Sequence, residues 1–161
     1  MNYSQHQNQA NPNNQAENQD KIKSWEEIKN GWQNDWITSS YGITKEAIKW
    51  AEDFGKYLAV DKNKIKKLTT SQLRKFFSHL KRMQAIGFDE NNKTDLYMLK
   101  AQLAYANGRD KKEGGQNKTK ICHFAEMLFE AIDQVQTKEH FKNFANIVEA
   151  IVAFHKAAGG E

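Results

Sequence analysis

At 161 residues, with 27% charged residues and a net charge of +4, the chain has the size of one domain. Its single cysteine, Cys122, excludes an internal disulfide and any multi-thiolate metal centre within one chain. No segment approaches the roughly 18 uninterrupted apolar residues that span a bilayer, and the first residues lack the basic start and apolar run of a secretory signal. The expectation is a soluble, cytoplasmic protein with no membrane partner.

Asn and Gln dominate the opening residues, and no aliphatic side chain larger than Ala follows Met1 as far as Gln19. Such a segment buries too little apolar surface to offset its ordering entropy, so residues 1–23 read as a disordered tail and 24–161 as the folded domain. The only proline, Pro12, lies in that tail, and extended β-branched runs are absent, so long helices are permitted and strands are not favoured.

Trp25, Ile28, Trp32 and Trp36 recur at helical spacing and predict one short helix with an aromatic stripe. A second segment opens at Thr44 as N-cap and sets Ala47, Trp50, Phe54 and Leu58 on one side. The third has a capping-box pattern, Thr69 with Gln72, followed by an apolar stripe of Leu73, Phe76, Phe77, Leu80 and Met83, and closes at Gly87. A fourth starts near Thr94 and Asp95, carries Leu96, Leu99, Leu103 and Ala106, and ends at Gly108 as a left-handed cap. Residues 109–118 form a polar, mobile loop. A fifth helix holds Ile121, Phe124, Ala125, Leu128, Ile132 and Val135; a sixth opens at Thr137, lines up Phe141, Phe144, Val148, Ile151 and Val152, and stops at Gly159 and Gly160. The fold class is all-α, a compact helical bundle of about five to six helices.

No pattern in the sequence supports catalysis. The Glu-x-x-His pair of carboxylate-bridged metal sites, the zinc-protease motif, the phosphate-binding loops and a visible nucleophile with its base are all missing, so no cofactor and no metal are expected. His123, beside Glu126, reads as an ordinary packing or surface residue. His155 lies near the end of the last helix, where the dipole favours the protonated form; it reads as a packing or capping residue, with ligand contact as the alternative. Cys122 reads as a small core residue.

The charge distribution carries more information. Residues 62–82 hold Lys62, Lys64, Lys66, Lys67, Arg74, Lys75, Lys81 and Arg82 with no acid among them, and the rest of the chain nets −4. With the stripe of the third helix turned inward, Arg74, Ser78 and Lys81 form one outer ridge, and Lys75, His79 and Arg82 a second. The four leading lysines form a flexible approach to the helix N-terminus, whose amides at Thr69, Thr70 and Ser71 offer a further anion contact. Eight cations without a negative partner repel one another unless an anion is bound. The aromatic residues of this helix point inward, so phosphate contact is favoured over base stacking.

Four segments in order, Leu68-Thr-Thr-Ser-Gln-Leu-Arg-Lys-Phe76, Lys100-Ala-Gln-Leu-Ala-Tyr-Ala-Asn-Gly-Arg109, Phe141-Lys-Asn-Phe144 and Val148-Glu-Ala-Ile-Val-Ala-Phe-His-Lys156, resemble the motifs of the small subunit of type III-A CRISPR effector (Csm) complexes. The resemblance covers about residues 60–158. It implies a non-catalytic helical-bundle subunit, present in more than one copy, that contacts CRISPR guide RNA and single-stranded target RNA through their backbones and associates with other Csm subunits. Sequence recognition there belongs to base pairing. Carried over by position, Arg74, Lys75 and Arg109 are the first choices for RNA contact and Lys100 and Lys156 the second, and the charge pattern adds Lys67 and Arg82. Phe154 stands where related chains often carry Tyr. From another class, a helical scaffold whose basic face meets an acidic protein partner is the alternative.

Overall fold

The computed structural model describes residues 21–62 and 64–160. Among them are seven α-helices: α1 (Trp25–Gly31), α2 (Asp35–Thr38), α3 (Lys45–Leu58), α4 (Thr70–Ile86), α5 (Lys93–Arg109), α6 (Ile121–Asp133) and α7 (Lys138–Ala157). A 3-10 turn, Glu90–Asn92, leads into α5. The chain is all-α, as expected. Of the tail expected over 1–23, only Lys21, Ile22 and Lys23 lie within the described residues; Ile22 packs against the core, and Lys23 pairs with Asp53 at 2.8 Å.

Helix α7 organises the bundle, packing on α2, α3 and α4, while α5 packs on α4 and α6. The α3–α7 contact is the most extensive. A Cβ on Gly55 would lie 2.8 Å from both His155 N and Ile151 O, so the absence of a side chain is what lets the two backbones meet.

The tryptophan segment differs from expectation in form. One helix becomes two because Trp32 leaves helical geometry at the C-cap of α1 (ψ 141°), its indole donating to Asn34 Oδ1 at 2.8 Å. It is nonetheless core: Ile28, Trp36 and Ile37 are buried, and Trp32, Trp36, Trp50 and Phe54 form a continuous aromatic cluster. Two long-range donors pin it. Trp50 Nε1 donates to Ile28 O at 2.8 Å, and the buried amide of Asn143 donates to Ile37 O at 3.0 Å and Ser39 O at 2.8 Å, satisfying carbonyls that the ends of such short helices leave open.

Three local expectations are corrected. Gly108 is not left-handed; α5 continues through it to Arg109, and Asp110 forms the cap. Residues 109–118 are tied rather than free, with Lys112 N donating to Gln116 O at 2.8 Å, Lys118 N to Asp110 O at 3.0 Å and Thr119 N to Asp110 Oδ2 at 2.7 Å. The lysine approach to α4 is pinned too: Lys66 pairs with Lys118 and Lys120 through the backbone, and Lys67 N donates to Asp61 Oδ1 at 2.8 Å.

Candidate nucleic-acid interface

The capping box and apolar period of α4 fix the phase of its basic residues. Thr69 Oγ1 accepts from Gln72 N, Gln72 Oε1 accepts from Thr69 N, and Leu73, Phe76, Leu80 and Met83 are buried. Arg74, Lys75, Ser78, Lys81 and Arg82 are therefore exposed, and Phe77 and His79 half-buried. The amide of Thr69 is consumed inside the box, which removes it from the anion contacts expected at this helix end.

The two ridges have different surroundings. The Arg74, Ser78 and Lys81 ridge leans toward α7, where Lys81 pairs with Glu149 at 2.9 Å. Lys66 likewise meets Asp61 at 3.6 Å, so the basic stretch is not wholly without negative partners as its own sequence implied. The Lys75, His79 and Arg82 ridge turns toward α5. Lys75 and His79 line a groove of about 800 Å³ between α4 and α5, whose far wall carries Met98, Tyr105 and Arg109. The Arg109 guanidinium lies 5.6 Å from the centroid of the Tyr105 ring, within cation–π range. One carboxylate, Asp110, lines the groove; it is buried and occupied by Thr119 N and the Gln72 amide. Among the described residues Arg74, Lys75, Arg82 and Arg109 have no acidic partner within 4.0 Å.

The remaining candidates lie elsewhere. Lys67 and Lys156 lie near the start of α4: Lys67 precedes that helix in the chain, and Lys156 follows His155, whose imidazole meets Leu68 O at 2.8 Å. Lys100 is apart from the groove, held to Asp133 of α6 at 2.5 Å with its ammonium 5.6 Å from the Phe129 ring centroid. Lys75 and Arg109 are thus the two candidates that the fold brings to one cleft.

The histidines have structural work. His155 is buried, and its Nε2 is 2.8 Å from Leu68 O, a carbonyl to which that nitrogen donates; burial lowers its pKa, opposite to the direction expected from the helix dipole. His123 stacks on Trp25 at 4.2 Å and meets Tyr57 Oη at 2.8 Å; desolvation pushes its pKa down to about 4 and that of Tyr57 up to about 12. Cys122 is half-buried rather than core, its thiol raised in pKa by burial.

One buried cation has no precedent in the sequence pattern. Lys120 is fully buried, its ammonium donating to Tyr57 O at 2.5 Å and Val60 O at 2.6 Å and lying 3.8 Å from the Tyr57 ring centroid. It caps the C-terminal end of α3, and desolvation pulls its pKa down to about 8. A lysine following a polar loop offers no periodic signal for burial. Among the described residues no group of three or more His, Cys, Asp or Glu is placed to hold a metal ion.

The family model for Csm2 of type III-A systems matches residues 43–161. The chain belongs to the Csm2 family. Searches of curated proteins and of solved structures found no significant match. As a Csm2 chain it is a small subunit of the type III-A CRISPR effector, a structural component associated with the other Csm subunits. The match includes α4, α5 and the groove between them, together with Lys67, Arg74, Lys75, Arg82, Lys100, Arg109 and Lys156. It excludes α1 and α2, which the hydrogen bonds from Trp50 and Asn143 nevertheless fasten to helices inside it. No helix among the described residues is long and apolar enough to cross a membrane.

Proposed function

We propose that this Csm2 subunit, working without catalysis of its own in the cytoplasm, holds the backbone of guide or target RNA within the type III-A complex. Several copies stack along that complex. The contacts run across the outer face of α4 and into the α4–α5 groove, with Arg74, Lys75, Arg82 and Arg109 as the principal cations and Lys67 and Lys156 extending the track at the start of α4. Lys100, engaged with Asp133, contributes least.

The observation that carries this reading is the meeting of Lys75 and Arg109, from two helices, in a cleft whose one carboxylate is already satisfied. An anionic ligand with repeating charge relieves that repulsion, and RNA is the anion around which a CRISPR effector is built. Phosphate contacts orient without reading sequence, which suits a subunit whose complex recognises its target by base pairing.

Retention of single-stranded RNA by the purified chain across a salt series tests the reading. Affinity falls steeply with salt, each neutralised phosphate adding about 0.7 to the log–log slope. Joint replacement Arg74→Ala and Arg82→Ala lowers both affinity and slope. Retention unaltered by that pair contradicts the assignment and favours an acidic protein as the partner of this face.

A further inference from the structure

We propose that the α4–α5 groove is a base-stacking site: Tyr105 takes the face of one unpaired RNA base while Lys75 and Arg109 hold the phosphates beside it. This rests on the RNA-binding reading above and names what the groove selects, a base outside a duplex.

The inward stripe of α5 is complete without Tyr105. Leu96, Leu99 and Leu103 are buried, whereas Tyr97, Met98 and Tyr105 are 55, 51 and 66% exposed, so α5 carries a second apolar face that no part of the described fold covers. Of these, Met98 and Tyr105 line the groove, and a volume of about 800 Å³ falls within the range of small-ligand sites, roughly 300–1,000 Å³. The rim decides the occupant. Lys75 lines the same groove as the exposed ring, the Arg109 guanidinium lies 5.6 Å from the ring centroid, and Asp110 is closed off by Thr119 N at 2.7 Å. An apolar helix laid here would bury two cations with no counter-charge, a large desolvation cost. A nucleotide brings an aromatic face and a phosphate together, matching the ring and the cations in one ligand. In a duplex the base faces are already stacked, so the ring engages a single strand or an extruded base. Inward aromatic phase in α4 argued against stacking there; the exposed ring comes from the neighbouring helix.

The test uses the full chain and a short RNA carrying one 2-aminopurine, either single-stranded or paired with its complement. Binding of the single strand quenches the fluorophore, and the paired form is neither quenched nor held as tightly. Tyr105→Ala abolishes quenching and weakens single-strand binding about tenfold, the scale of one lost base stack, while leaving the salt slope unchanged. Tyr105→Phe keeps both properties. Because Tyr105 is exposed, thermal unfolding of both variants stays at the wild-type temperature. Wild-type binding and quenching in Tyr105→Ala, or equal loss in Tyr105→Phe, overturns the stacking site and leaves the backbone reading standing. A Tyr105→Ala variant that binds RNA normally but no longer associates with Csm subunits overturns it in favour of a protein occupant. Wild-type protein that retains no RNA at low salt removes both readings.

Discussion

Lys120 and His123 are three positions apart at the start of α6, and each is an ionisable group whose burial is offset by a specific partner. Replacing Lys120 with Met keeps the volume but leaves Tyr57 O and Val60 O without their donor, so urea unfolding is expected to show a loss of about 1–3 kcal/mol. His123 gives a pH dependence. Its pKa falls from 6.5 to about 4 on folding, so between those values the unfolded chain binds more protons than the native one, and stability drops as pH falls through that window. His155, lowered in the same direction by burial, adds to the slope. The denaturation midpoint therefore declines from pH 7 to pH 4.5, and His123→Gln makes the decline shallower; an unchanged slope contradicts the assignment. The sequence offered little of this. Tyr57, Trp25 and the loop before α6 are distant in the chain, and a single Lys or His in a polar stretch carries no mark of burial. Arg74 and Lys75 were legible as exposed because their exposure follows from the local phase of Leu73, Phe76 and Leu80.

Helix α4 shows which elements a linear pattern specifies. A capping box, an amphipathic period and a glycine at φ 89° mark its two ends and its inner face, and all three are local. The division of its outer surface depends on neighbours: Glu149 of α7 claims Lys81, and α5 brings Arg109 opposite Lys75. Gly55 and Gly108 make a matched comparison of local and tertiary demand, since both lie within helices. Gly55→Ala puts a Cβ 2.8 Å from backbone atoms of α7, forces the helices apart and is expected to cost about 1–3 kcal/mol. Gly108→Ala meets nothing within 4 Å and is expected to stabilise by about 0.5–1 kcal/mol. Thermal unfolding of the two variants checks the contrast, and equal shifts contradict the close α3–α7 approach. Aromatic spacing alone reads α1 and α2 as one helix, because it conceals the departure at Trp32.

The whole molecule joins a family-matched body to an N-terminal aromatic segment that lies outside the match yet completes the core. Removing residues 1–40 strips out Ile28, Trp36 and Ile37 and orphans the donors of Trp50 and Asn143, so the truncated chain is expected to lose cooperative unfolding. A cooperative, RNA-competent truncation instead makes the segment an assembly element. The central claim concerns the surface that this core supports, a cationic face concentrated at Lys75 and Arg109, and its most direct test is a comparison of single-stranded RNA affinity across salt for Lys75→Ala with Arg109→Ala against Lys100→Ala. The paired groove substitution is expected to weaken binding strongly and to lower the log–log salt slope by about 1.4, whereas Lys100→Ala, whose ammonium is engaged by Asp133, leaves both near wild type. Equal losses in the two proteins, or an unchanged slope in the groove variant, contradict the account.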